Sequence, residues 1–315
     1  MDISLEGFSH PHGTDSHRPG LFGRASDRAT ACTRPVDTTG RHSCSVIESN
    51  GILPVTIFTL GRFSLLINGK PADFGRKFPK RPLELLKAII AQGGREISIS
   101  KLTMLIWPDV DGDKATRSFD TTLHRLRKIL GDGHALVLRD GKLSLDARYC
   151  WVDVWTFERL LGGSRRLLRN AADSNQVCLL EGLTENLLAL YQDHFLVREE
   201  VTGWSVSLRE RLRHKFIHHL IEIGRFWETH GDWEQAIECY QKGIDIDDLV
   251  EVFYQRLMNC YLETHRLSEG MLVYRRCCQT LSIMLGLQPE RETESLYLAL
   301  KNARPGKRLG SVPEV

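Results

Sequence analysis

Lys114-Ala-Thr-Arg-Ser-Phe-Asp-Thr-Thr-Leu-His-Arg-Leu-Arg-Lys-Ile-Leu130 is the stretch on which the fold turns. Wound as a helix at about 100° per residue, it sorts into two opposed faces. Phe119, Leu123, Leu126 and Leu130 fall at i, i+4, i+7 and i+11 and form one apolar stripe. Arg117, Thr121, His124 and Lys128 repeat that spacing on the opposite side, with Lys114 and Arg125 beside them. One face can enter a core while the other offers cations and hydrogen-bond donors to a polyanion. A basic helix face on its own is usually just a solvated face, so its neighbours in the chain decide its meaning.

After Gly131 and Asp132 comes Ala-Leu-Val-Leu-Arg-Asp-Gly-Lys-Leu-Ser-Leu-Asp, residues 135–146. Short apolar runs flank Asp140-Gly141, a dipeptide favoured where a hairpin turn needs positive φ. Arg139 and Lys142 stand beside the tip. A basic helix followed at once by a hairpin with a cationic tip is the winged-helix arrangement. In that arrangement the helix enters the major groove and the hairpin rests on the adjacent backbone.

Upstream, 54–60 and 62–67 read as strands broken at Gly61, and Asn68-Gly69 as a second hairpin turn leading into 71–74. Residues 79–92 read as a helix with Leu83, Leu86, Ile89 and Ile90 on one face, ended by Gly93-Gly94. A shorter helix runs from an N-cap at Ser98 or Ser100 to Trp107, stopped by Pro108. Strands, three helices and a hairpin, with the third helix basic, resemble the OmpR-type winged helix. The charge agrees. Residues 51–150 carry 17 Lys/Arg against 10 Asp/Glu, while 1–50 carry 5 against 6 and 151–315 carry 20 against 24. The nearly neutral total of +2 therefore hides one basic domain, whose field attracts nucleic acid through counterion release.

From Leu220 onward the chain matches itself at an offset of 34 residues: Trp227 with Tyr261, Ala236 with Gly270, Ile237 with Met271, Tyr240 with Tyr274, Gly243 with Cys277. Small residues suit the close approach of antiparallel helices, and aromatics fill the gaps between units. The period and size pattern resemble the tetratricopeptide repeat, with copies at 217–250 and 251–284. Helices between 153 and 229 are expected to add degenerate repeats or a cap, because fewer than three units seldom bury a stable core. An ordinary antiparallel bundle is the alternative.

Leu60-Gly-Arg-Phe-Ser-Leu-Leu-Ile-Asn-Gly, Leu123-His-Arg-Leu-Arg-Lys-Ile-Leu-Gly and Val152-Asp-Val-Trp-Thr-Phe-Glu are together similar to the Streptomyces antibiotic regulatory protein (SARP) family. Trp204-Ser-Val-Ser-Leu-Arg-Glu-Arg-Leu and Leu285-Gly-Leu-Gln-Pro-Glu extend the resemblance into what is called the bacterial transcriptional activator domain. The resemblance implies an activator that binds direct repeats near promoters and recruits RNA polymerase. It also implies that the loop carrying Asp109, Asp111 and Asp113 is where polymerase is met. The chain departs from larger members in having no room for an ATPase or sensor domain and no receiver domain upstream.

The expected fold is mainly α: an α+β OmpR-type winged-helix domain at 51–150, then an all-α tetratricopeptide-like domain at 151–302. Residues 1–50, rich in Gly, Ser, Thr, Arg and His, are expected to be disordered, and 303–315 to be a frayed tail. Within the reader, Arg117, Thr121, His124 and Arg125 are the candidates for base edges, and Lys114, Lys128, Arg139 and Lys142 for phosphates. The two domains are expected to have separate cores, so that 51–150 would fold alone.

The remaining sequence narrows the alternatives. No apolar run is long enough to span a bilayer, and the first 50 residues hold no signal-peptide core. A cytoplasmic protein with no membrane association is expected, and the family resemblance implies a bacterial one. The eight cysteines (32, 44, 150, 178, 239, 260, 277, 278) make no CxxC pair or zinc spacing,. His10, His12 and His17 read as incidental. Asp109, Asp111, Asp113 and Asp120 mimic part of a calcium loop, but Lys114 replaces the glycine such a loop requires. Phosphate-loop, HExxH and GxSxG signatures are absent, so no enzyme and no cofactor are expected. Expected partners are double-stranded DNA, RNA polymerase and a second copy bound through the repeats. The rival is a repeat-type interaction scaffold, or a repressor, with weak, non-specific DNA binding.

Overall fold

A computed structural model describes residues 53–74, 79–131, 133–170 and 174–303. The expectations for residues 1–50, for His10, His12, His17, Cys32 and Cys44, and for the tail beyond residue 303 lie outside the described residues.

Two small sheets frame three helices. Strands β1 (Val55–Phe58), β2 (Ser64–Ile67), β3 (Lys70–Pro71) and β7 (Cys150–Val152) form one sheet in the order β3-β2-β1-β7. Asn68 and Gly69, at φ 51° and 76°, make the tight β2–β3 turn. The first two strands are shorter than the apolar runs suggested, because the peptides after Phe58 turn away from β2. Leu60 instead bridges to Phe195, and Gly61 at φ 102° donates to the His194 carbonyl at 3.1 Å. Strand β7, which the sequence did not announce, pairs parallel to β1 with Val55 opposite Cys150 and Ile57 opposite Val152.

The second sheet, in the order β4-β6-β5, consists of β4 (Ile97–Ser98), β6 (Lys142–Leu145) and β5 (Leu136–Arg139). Between the sheets lie α1 (Lys80–Ala91), α2 (Ile99–Ile106) and α3 (Gly112–Leu130). Ser98 is the N-cap of α2, its hydroxyl accepting from Lys101 N at 3.3 Å. Helix α3 starts at Gly112, two residues before Lys114, with Asp111 at the N-cap position, and stops at Gly131 in the left-handed region. Phe119, Leu123, Leu126 and Leu130 are all buried, as their spacing required.

Seven helices follow among the described residues: α4 (Asp153–Asn170), α5 (Ser174–Leu190), α6 (Gly203–His230), α7 (Trp233–Ile246), α8 (Glu251–Glu263), α9 (Leu267–Leu285) and α10 (Arg291–Asn302). Helices α7 and α9 begin at Trp233 and Leu267, which reproduces the 34-residue offset of the internal match. Small residues do mark close approaches. A methyl group on Gly224 would collide with the Tyr240 ring, on Gly243 with the Phe253 ring, and on Gly270 with Leu300.

The two halves share a core, which corrects the expectation that each has its own. Buried side chains from Val55 to Leu281 form one hydrophobic cluster, and helix α1 packs against α6. The seam is also polar. Leu196 N donates to Thr59 O at 2.8 Å. Lys87, on α1, reaches Glu199 at 2.7 Å while its ammonium lies 4.4 Å from the centre of the Phe63 ring. Burying that ammonium is tolerable because it is both paired and covered by a π face.

Candidate nucleic-acid interface

Helix α3 owes its exposure to its stripe. Burial of Phe119, Leu123, Leu126 and Leu130 leaves Lys114, Arg117, Thr121, His124, Arg125 and Lys128 exposed on the outer surface. Among the described residues, Lys114, Arg117, Arg125 and Lys128 make no ion pair. A solvated helix face ordinarily interleaves acids at i+3 or i+4 and pairs some of its cations. Here Asp113 and Asp120 are at hand and are not used. Thr121 donates to the Arg117 carbonyl at 3.0 Å, which leaves its hydroxyl oxygen free to accept.

One cation of this helix has a different task. Arg127, half-buried, donates to the Leu136 carbonyl at 3.4 Å and so ties α3 to the first strand of the hairpin. Sequence spacing alone could not separate it from Lys128, because the distinction depends on where β5 lies.

The hairpin is held as firmly as the helix. Asp140 and Gly141, at φ 48° and 69°, form the turn expected from the dipeptide. Gly141 O accepts from Ile99 N at 2.9 Å, and Ser144 Oγ accepts from Glu96 N at 2.7 Å, fixing the wing to the start of α2. Arg139 and Lys142 are directly opposed across β5 and β6, and both are exposed. Like charges opposed across a strand pair repel, and an anion lying over the tip relieves that repulsion. Arg148 is not available for the same use. Its guanidinium grips Asp146, with Nη2 to Oδ2 at 2.7 Å, and this hydrogen bonding holds the Asp146 carboxyl down at about 2.

The loop between α2 and α3 carries Asp109 and Asp111, and the expected third loop aspartate, Asp113, falls inside α3; all three are exposed, with exposed Met104 and Val110 nearby. Asp113 sits in the first turn of α3, where a carboxylate is favoured by the helix dipole,. One residue that matters to the site's support was not singled out in the sequence: Asp153, whose carboxylate accepts from Thr59 and Leu60. Its signal is a long-range contact, which no local pattern contains.

A winged helix with an unpaired cationic face is thus joined to a stack of helical pairs. The bacterial transcriptional activator domain matches residues 152–301. Mycobacterium tuberculosis EmbR, solved in complex with a low-affinity phosphopeptide, shares the fold at a TM-score of 0.59 and 18% identity, over 81% of this chain and 67% of that one. No curated protein matches the sequence significantly. Residues 152–301 thus carry the bacterial transcriptional activator domain, with a winged helix of the OmpR type ahead of it. No helix among the described residues is long and apolar enough to cross a membrane.

Proposed function

We propose that the chain is a sequence-specific DNA-binding activator that occupies direct repeats near promoters and recruits RNA polymerase. Residues 51–150 supply the reader and 151–302 the partner-facing domain. Arg117, Thr121, His124 and Arg125 meet base edges in the major groove, while Lys114, Lys128, Arg139 and Lys142 hold the phosphates. The observation that carries this is the set of exposed α3 cations left without ion pairs, on a helix whose other face is buried.

Asp109, Asp111 and Asp113, on the loop before the reading helix and in its first turn, are the proposed polymerase contact. Self-association through the repeat domain would let two copies occupy adjacent repeats, and such linkage raises avidity by about 10²–10⁴ without new base contacts. The test is transcription by purified polymerase from a promoter carrying a selected site. Activation should fall when the three aspartates are changed to Asn while DNA binding persists. A protein that only represses every promoter it occupies would not be an activator.

A further inference from the structure

The repeat half of the chain is acidic overall, yet one of its grooves is cationic. It lies between α4 and α6 and encloses about 570 Å³, within the range of roughly 300–1,000 Å³ common for small-molecule sites. Arg165 and Arg169 line it one turn apart on α4, and Arg225 lines it from α6, on the same helical stripe as His218 and Glu222. Leu168 and Phe226 supply an apolar floor.

Glu222 is the one carboxylate among the described residues lining the groove, and it is poorly placed to neutralise it. It stands 3.5 Å from Arg165 and 3.6 Å from His218, longer than the roughly 2.7–2.9 Å of a good charge-assisted bond. Arg165 Nε is buried and makes no hydrogen bond, facing Glu222 only at 3.5 Å, and its Nη2 has just a long bond of 3.5 Å to the Lys215 carbonyl, while Arg169 and Arg225 are exposed and make no ion pair among the described residues. The excess charge is felt next door. Buried His219, hydrogen-bonded to Ser164 Oγ at 3.1 Å, is pushed down to about 4, first by burial and then by Arg165 and His218.

A buried donor without an acceptor and guanidinium groups brought close together both cost stability, and an anion between them removes both costs. Guanidinium forks match phosphate oxygens in pairs. We propose that the groove between α4 and α6 binds a phosphorylated small molecule, with its phosphate on Arg165, Arg169 and Arg225 and its organic part against Leu168 and Phe226. This goes beyond the DNA-binding proposal and does not depend on it. It places an effector on α4, the helix whose first residue, Asp153, is hydrogen-bonded to the winged-helix half.

The test is calorimetric titration of the full chain with ADP, inorganic pyrophosphate and a phosphoserine peptide, each in turn. ADP and pyrophosphate should bind. The exposed double variant Arg169→Glu/Arg225→Glu should weaken them by roughly tenfold or more, whereas Arg117→Ala/Arg125→Ala on α3 should bind them as the wild type does. A thermal melt checks that the groove variant folds; if it does not, Arg225→Gln serves and should still weaken both probes several-fold. Silence from both small probes overturns the proposal. So does equal affinity in the groove variant, or loss confined to the α3 variant, which would place the anions on the DNA face. Binding of the phosphopeptide alone overturns it in favour of a protein partner.

Discussion

Asp153 is fully buried, yet its two carboxylate oxygens accept from Thr59 N, from Thr59 Oγ1 at 2.7 Å, from Leu60 N at 2.6 Å and from Val154 N at 2.8 Å. Burial pushes its carboxyl above the ordinary range, and the backbone and hydroxyl donors pull it back. Removing the acceptor strands several donors in a dry place, so Asp153→Ala should destabilise the chain by about 2–4 kcal/mol in urea unfolding, with Asp153→Asn intermediate. His219 gives a pH-dependent counterpart. The folded chain holds it neutral down to about 4, against 6.5 for an unperturbed histidine. Between those values the unfolded chain binds more protons, so the neutral ring's contribution is complete above the unfolded value and is lost as pH falls toward 4. Wild type should therefore lose about 1–2 kcal/mol between roughly pH 7 and pH 5 that His219→Gln does not lose, read as the difference between their urea midpoints.

Helix α3 separates the roles of its cations by a measurable signature. Arg117→Ala or Arg125→Ala should cost about 1–3 kcal/mol on the preferred site and relax the choice of base there. Lys128→Ala should instead weaken all sequences alike and reduce the salt slope by about 1. If Arg117→Ala/Arg125→Ala binds a selected site as tightly as wild type across a salt titration, the assignment of this face is wrong. In the repeats, Gly243→Ala gains helix propensity of up to about 1 kcal/mol but drives a methyl into the Phe253 ring, so a net loss of about 1–2 kcal/mol is expected in a thermal melt,. These elements were legible because each repeats its own period: the stripe of α3, the Asp140-Gly141 turn and the 34-residue offset are local or self-similar patterns. Strands β4 and β7 were not, since two or three residues are too few to display alternation. Each exists only because a partner strand many residues away lies alongside it.

At the scale of the whole molecule the unforeseen fact is the shared core. Composition and charge divide the chain near residue 150, and charge reports surfaces, so it cannot reveal that the interiors run together. Val55 and Ile57 pair with Cys150 and Val152, Thr59 and Leu60 end on Asp153, and Lys87 ends on Glu199. The fragment 51–150 would lose the last two strand residues, the buried carboxylate and the cover over α1. It should melt far below the full chain or fail to fold, and the chain spanning 53–303 should unfold in one transition by calorimetry.

The same seam governs how such regulators could exchange parts. A chimera spliced at residue 150, the obvious join by charge and composition, would ask a foreign helix to present an acceptor to Thr59 and Leu60 and a foreign loop to meet Lys87. A splice at the α6–α7 turn, where Gly231 adopts φ 73° and the polypeptide passes from the helix that touches α1 to one that begins the second half of a repeat, leaves every one of those contacts with its native partner. Lineages that trade specificity by recombination should therefore keep the winged helix together with the first helices behind it as a single heritable block. The later repeats are then the exchangeable piece, provided the newcomer keeps an aromatic ring against Gly224 and a carboxylate beside Arg213, and the crossover points should cluster near residue 231 rather than near residue 150.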